Sequence, residues 1–162
     1  MTTRILIVDD HEIVREGLRS HLAKSRPEWD ICGEATDGEQ AIQLTKELKP
    51  DVVILDISMP RMSGFEASTR MRKLGLTTPL LIFTTHDSER LGTEVRGAGA
   101  QGYVLKSQAV RHLVQAIDAL LAGGTFFGAP PESEGTRGDK PKLGIVFFSG
   151  LRRRYLIGFA YI

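Results

Sequence analysis

Four short apolar runs constrain this chain most, because each stops at a polar residue and each is followed by a stretch of helical spacing. The runs are Ile5–Val8, Val52–Leu55, Leu80–Phe83 and Tyr103–Leu105, and the residues closing them are Asp9, Asp56, Thr84 and Lys106. Uniformly apolar runs of this length read as strands covered on both faces. Between them, Val14, Leu18 and Leu22 recur every four residues and predict an amphipathic helix ending near Ser25, before Pro27. Asp30–Ala35 reads as a second, less apolar strand suited to a sheet edge. Asp37 with Gln40, and Ser63 with Glu66, have the spacing of a capping box. They predict one helix burying Ala41, Leu44, Thr45 and Leu48, and another ending near Gly75.

Ser88 is expected to cap a fourth helix that carries Gly92 and stops at Gly97 and Gly99. An interior glycine costs about 1 kcal/mol relative to alanine, so this helix is the candidate moving part. Ser107 is expected to cap the last helix, with an apolar stripe of Val110, Leu113, Val114, Ile117 and Leu121. Five strand and helix alternations predict an α/β fold, a five-stranded doubly wound parallel sheet in the order 2-1-3-4-5. In that order the ends of the first and third strands adjoin at the topological switch point, where such sheets bind ligands. Asp9 and Asp10 would then face Asp56.

Three crowded carboxylates repel one another, and a cation relieves the repulsion. Hard oxygen ligands in an open arrangement favour Mg²⁺ that keeps several waters. Asp56 is placed to act as a carboxylate nucleophile forming an aspartyl phosphate, with Lys106 and Thr84 supplying positive charge and a hydroxyl to the phosphoryl oxygens. His11 and His86 read as loop residues, since carboxylates already satisfy a hard cation. His21 and His112 read as helix surface or boundary positions. The lone Cys32 leaves no partner for an internal disulfide and reads as a small buried hydrophobe.

Asp9-Asp10, Asp56, Thr84, Tyr103 and Lys106, in that order at successive strand ends, resemble the receiver domain of bacterial two-component response regulators over about residues 4–123. Gly123-Gly124-Thr125-Phe126-Phe127 after the last helix resembles the NarL/FixJ subfamily. The resemblance implies that a sensor histidine kinase donates a phosphoryl group to Asp56 with Mg²⁺, held by Asp9, Asp10, Asp56 and the main-chain carbonyl of Ser58. It implies that Thr84 and Tyr103 act as the switch with the fourth helix and fifth strand, and that Ser58 and His86 tune phosphoryl lifetime. The role is then a regulatory phosphoacceptor rather than an enzyme. Many receivers have a proline with a cis peptide bond after the lysine; here the residue is Ser107.

The rest of the chain departs from the pattern. The expected organisation is a receiver at 1–123, a linker at 124–142 and an apolar and basic tail at 143–162. Leu143–Phe148 and Arg152-Arg153-Arg154 show no recognition-helix pattern, so DNA binding is not expected of this tail. The tail either packs on the receiver or on a second copy, making a homodimer, or replaces the output domain of a NarL/FixJ-type DNA-binding regulator through truncation or a frame shift. An aspartyl-phosphate phosphatase is the other reading of a strand-end aspartate, but it needs a second acid where Ser58 stands. A flavin mononucleotide carrier would need a glycine- and hydroxyl-rich loop where Asp9-Asp10-His11-Glu12 stands. Net charge is +1 and no apolar stretch approaches the ~20 residues of a membrane span, so a cytoplasmic protein without membrane contact is expected.

Overall fold

The computed structural model describes residues 2–128. The 143–162 tail and most of the expected linker lie outside the described residues. Along the chain run β1 (Arg4–Val8), α1 (Glu12–Ser25), β2 (Asp30–Ala35), α2 (Gly38–Leu48), β3 (Val52–Leu55) and α3 (Gly64–Lys73). They continue as β4 (Leu80–Thr84), α4 (Leu91–Gly97), β5 (Gly102–Leu105), α5 (Ala109–Leu121) and β6 (Phe126–Phe127). The strands form one parallel sheet in the order β2-β1-β3-β4-β5-β6. The expected order is thus present, extended by a sixth strand.

That sixth strand was not expected. The sheet continues past residue 123 because the backbone after Gly123 and Gly124 turns back beside β5, where Phe126 N donates to Gln101 O at 3.0 Å. Gly102 makes the approach close enough: a Cβ there would lie 2.2 Å from the Phe126 carbonyl oxygen.

Period-two alternation divides the strand residues between two cores. Leu6, Val8, Val53, Leu55, Leu80 and Ile82 face one side of the sheet, where α2, α3 and α4 bring Ala41, Ala67, Met71, Leu91 and Val95. Ile5, Ile7, Val52, Ile54, Leu81 and Phe83 face the other, against Leu18 and Leu22 of α1 and Leu113, Ala116 and Ile117 of α5. Each fully buried aliphatic side chain contributes about 1.5–3 kcal/mol, so the central strands are the most strongly fixed elements. Their carboxyl ends are therefore rigid platforms.

The cap expectations divide. Asp37 Oδ1 accepts from Gln40 N at 2.9 Å and Ser63 Oγ from Glu66 N at 3.2 Å, as the spacing predicts. Ser88 and Ser107 do not cap their helices. α4 begins later, at Leu91, with Arg90 in the cap position and no side-chain cap; Ser88 serves through its carbonyl, which accepts from Leu91 N at 3.1 Å. Ser107 lies inside a 3₁₀ turn, Lys106–Gln108, that precedes α5. Val110, expected in the α5 stripe, stands at the first turn of α5 and is 81% exposed; the buried stripe is Leu113, Ala116, Ile117 and Leu120. In α2, Ile42 is buried, while Leu44 and Leu48 are only partly so. With seven residues α4 is the shortest helix described, in keeping with its glycines.

Candidate functional site

Sheet register brings the polar strand ends together. Val8 pairs with Leu55, so Asp9 and Asp56 leave adjacent strands side by side. Asp56 N donates to Val8 O at 2.9 Å, and Asp9 N to Ala35 O at 3.1 Å, which continues the ladders under both carboxylates. Thr84 pairs with Leu105, which sets Lys106 next along the edge. Asp9, Asp56 and Thr84 are 1%, 3% and 2% exposed; Asp10 stands farther out.

Lys106 Nζ lies 2.7 Å from Asp9 Oδ2 and 3.5 Å from Asp56 Oδ1, so one ammonium is shared by two buried carboxylates. Asp56 Oδ1 also accepts from Ile57 N at 2.9 Å. These contacts do not satisfy Asp56. Burial, and then the neighbouring Asp9 charge, hold its carboxyl above the usual range, against the opposing pull of Lys106 and the Ile57 amide. A free carboxylate held in this way is a site short of positive charge.

Several local devices fix the surrounding loops. Arg15 donates to Asp9 O at 2.8 Å and pairs with Glu34, pinning the loop after β1. Gly64 N donates to Ile57 O at 2.9 Å, and a Cβ on Gly64 would lie 2.0 Å from the Asp56 carbonyl oxygen. Only glycine allows the start of α3 to lie so close beneath the aspartate. Thr84 Oγ1 accepts from His86 N at 3.0 Å, so the hydroxyl stays at the strand end with its own proton free to donate. The peptide between Lys106 and Ser107 is trans, as are all those described.

One ligand atom from each of Asp9, Asp10, His11 and Asp56 falls within 4.8 Å of the others. Carboxylate oxygens dominate that set, which fits a small divalent cation. Ser58, two residues after Asp56, and His86, two residues after Thr84, are both exposed. His11, read from sequence as a loop residue, brings its Nδ1 to 3.0 Å from Asp10 Oδ1 and 3.2 Å from Asp9 Oδ1.

Tyr103 is partly buried on β5, and its ring meets Phe127 edge-on at 6.2 Å between centroids. The guanidinium of Arg96, in α4, lies 3.8 Å over the Phe127 ring. Sequence reasoning missed both contacts. The Phe126-Phe127 pair was visible, but nothing in one sequence says that a two-residue strand will add to the sheet. Arg72 was missed too: it donates to Gly99 O, Leu76 O and Thr78 O at 2.8, 2.7 and 3.0 Å and to Gln101, tying the loops at the far end of α3 and α4. No helix among the described residues is long and apolar enough to cross a membrane.

Comparison with known proteins gives a consistent picture. A family model described as the response regulator receiver domain matches residues 5–118. The transcriptional regulatory protein YdfI of Bacillus subtilis is 40% identical over 120 residues, 74% of this chain and 55% of that protein. The nitrate/nitrite response regulator protein NarL of Escherichia coli is 34% identical over 119 residues, 74% of this chain and 55% of that protein. A crystal structure of a LuxR-family two-component response regulator from Aurantimonas sp. superposes with a TM-score of 0.73 at 42% identity, covering 78% of this chain and 90% of that one. The chain spans about half the length of the curated relatives it matches.

Proposed function

This chain belongs to the response regulator receiver family, of the NarL and LuxR type, and from that premise we propose that it takes a phosphoryl group from a sensor histidine kinase onto Asp56. The observation that carries the reading is the meeting of Asp9, Asp56 and Lys106 at adjacent strand ends, beside Thr84. Asp9, Asp10, Asp56 and the Ser58 carbonyl are the groups that would hold Mg²⁺, which supplies positive charge to the carboxylates and the phosphoryl oxygens.

Asp56 Oδ2 is the carboxylate oxygen left for attack, since Oδ1 is engaged by Ile57 N and Lys106. Its electron pair forms the new P–O bond as the P–N bond to the donor imidazole breaks, and the imidazole leaves with that pair and picks up a proton. Lys106 turns from Asp9 to the phosphoryl oxygens, and Thr84 donates its hydroxyl proton to another. Ser58 and His86 border the phosphoryl group and set water access to it. Movement of Thr84 toward the phosphoryl opens space beneath Tyr103, whose ring is linked through Phe127 and Arg96 to α4. The α4 and β5 surface thereby changes with the charge on Asp56 and controls association with a partner or a second copy.

Several relatives are named transcriptional regulators, and the chain spans about half their length, which favours a second reading of the output: that this receiver serves a DNA-binding regulator. Both readings share the phosphoacceptor and the cytoplasmic setting of the family. Incubation with acetyl phosphate, with and without Mg²⁺, followed by intact mass and a size measurement of each form, tests the proposal. One added phosphoryl group in wild type, dependent on Mg²⁺ and absent in Asp56→Asn, is expected. Equal labelling of the variant would contradict it.

A further inference from the structure

β6 is two residues long, and its two rings sit on opposite faces of the sheet edge. Phe126 packs on the α5 side, its ring 6.3 Å from that of His112, and Phe127 packs on the α4 side. There Phe127 meets the Tyr103 ring edge-on, the Arg96 guanidinium over its face, and α4 at Gly92. A Cβ on Gly92 would lie 3.9 Å from both the Phe127 and the Tyr103 rings, so the helix puts no side chain between them. Tyr103 also reaches past Phe127. Gly128 has φ +77°, and a Cβ there would lie 3.2 Å from the Tyr103 hydroxyl, so the tyrosine tip covers the backbone where the chain leaves the strand. A two-residue edge strand has few ladder hydrogen bonds of its own, and its hold depends on these ring contacts.

We propose that β6 is a strap held on the sheet by the Tyr103 ring, so that phosphoryl transfer to Asp56 loosens it and with it the point from which residues 129–162 continue. The inference rests on the reading of Thr84 and Tyr103 as a switch given above, and adds to it a route along the chain itself. When the Tyr103 ring turns toward the space that Thr84 leaves, Phe127 loses its edge-on partner and Gly128 loses its cover. Arg96 and the Gly92 turn are then all that face Phe127 from α4.

Amide exchange of the full chain, read residue by residue in proton–nitrogen spectra, tests the proposal at Phe126, whose N–H donates to Gln101 O. With Mg²⁺ and excess acetyl phosphate the Phe126 amide of wild type is expected to exchange roughly tenfold faster, while Ile54 and Ile82 of the central strands keep their rates. Two variants should show the fast exchange without labelling: Tyr103→Ala, and Phe127→Leu, which keeps an apolar side chain but no ring. The Ile54 and Ile82 amides report that each variant is folded. Phe126 exchange at the wild-type rate in both variants overturns the strap. Fast exchange in the variants with no change in fully labelled wild type overturns instead the switch on which the inference stands. A wild type that takes up no phosphoryl group overturns the phosphoacceptor reading.

Discussion

Asp56 and Asp37 are the same residue type and almost equally buried, at 3% and 2% exposure, yet their surroundings treat them in opposite ways. Asp37 caps α2: the amide of Gln40 holds its carboxyl below the usual range, outweighing the cost of burial, with Arg61 Nη2 at 2.7 Å adding to the effect. Arg61 reaches it from a left-handed backbone conformation, φ +66°, in the loop after β3. Asp56 is raised by burial and by Asp9, and the single lysine nearby is divided between two carboxylates. One aspartate is saturated with donors and serves the fold. The other is left short of them, and the deficit is what a cation and a phosphoryl group can fill.

The largest stability effect should fall on the saturated member. Asp37→Ala removes a cap and an ion pair, so unfolding in urea should show a loss of about 2 kcal/mol, with labelling at Asp56 little changed. The charge itself can be read with Asp37→Asn. Because the folded Asp37 carboxyl lies below its usual value, its contribution is complete above the usual carboxylate range and disappears as pH falls through the folded value. The stability difference between wild type and Asp37→Asn should therefore be constant near neutrality and shrink in acid.

A smaller effect concerns the unsaturated member. Mg²⁺ at ten times its Kd should raise the stability of wild type and of Asp37→Ala by about 1.4 kcal/mol, and that of Asp56→Asn much less. Smallest is the effect of Asp56→Asn alone: without metal, at neutral pH, it should stabilise the fold by about 1 kcal/mol, read from the urea midpoint. A destabilised Asp56→Asn would erase the contrast between the two residues.

The sheet and the site ends were legible because both rest on strong local signals. Ile5–Val8, Val52–Leu55 and Leu80–Phe83 have no polar residue to allow another burial, and their closing residues follow directly. Asp37 and Ser63 were legible as caps since their partners lie three residues on. Ser88 misled because a serine before a helical stretch has the same local sequence whether its side chain caps or its carbonyl does, and Ser107 because it falls inside a 3₁₀ turn ahead of the helix. Long-range pairings were invisible for a different reason. The Arg61 contact to Asp37 spans 24 residues and the Lys106 contact to Asp9 spans 97, and only the folded sheet brings them together. Neither contact was expected, although Lys106 at its strand end was already assigned to the same site as Asp9.

The central claim is that Asp56 carries the phosphoryl group. Borohydride reduction of the acetyl-phosphate-treated chain converts an acyl phosphate on aspartate to homoserine, and peptide mass spectrometry then locates it. Homoserine at position 56, formed only when Mg²⁺ was present during labelling, is the expected result. Homoserine at position 9, 10 or 37, or none anywhere in a chain that had gained a phosphoryl group, would contradict it.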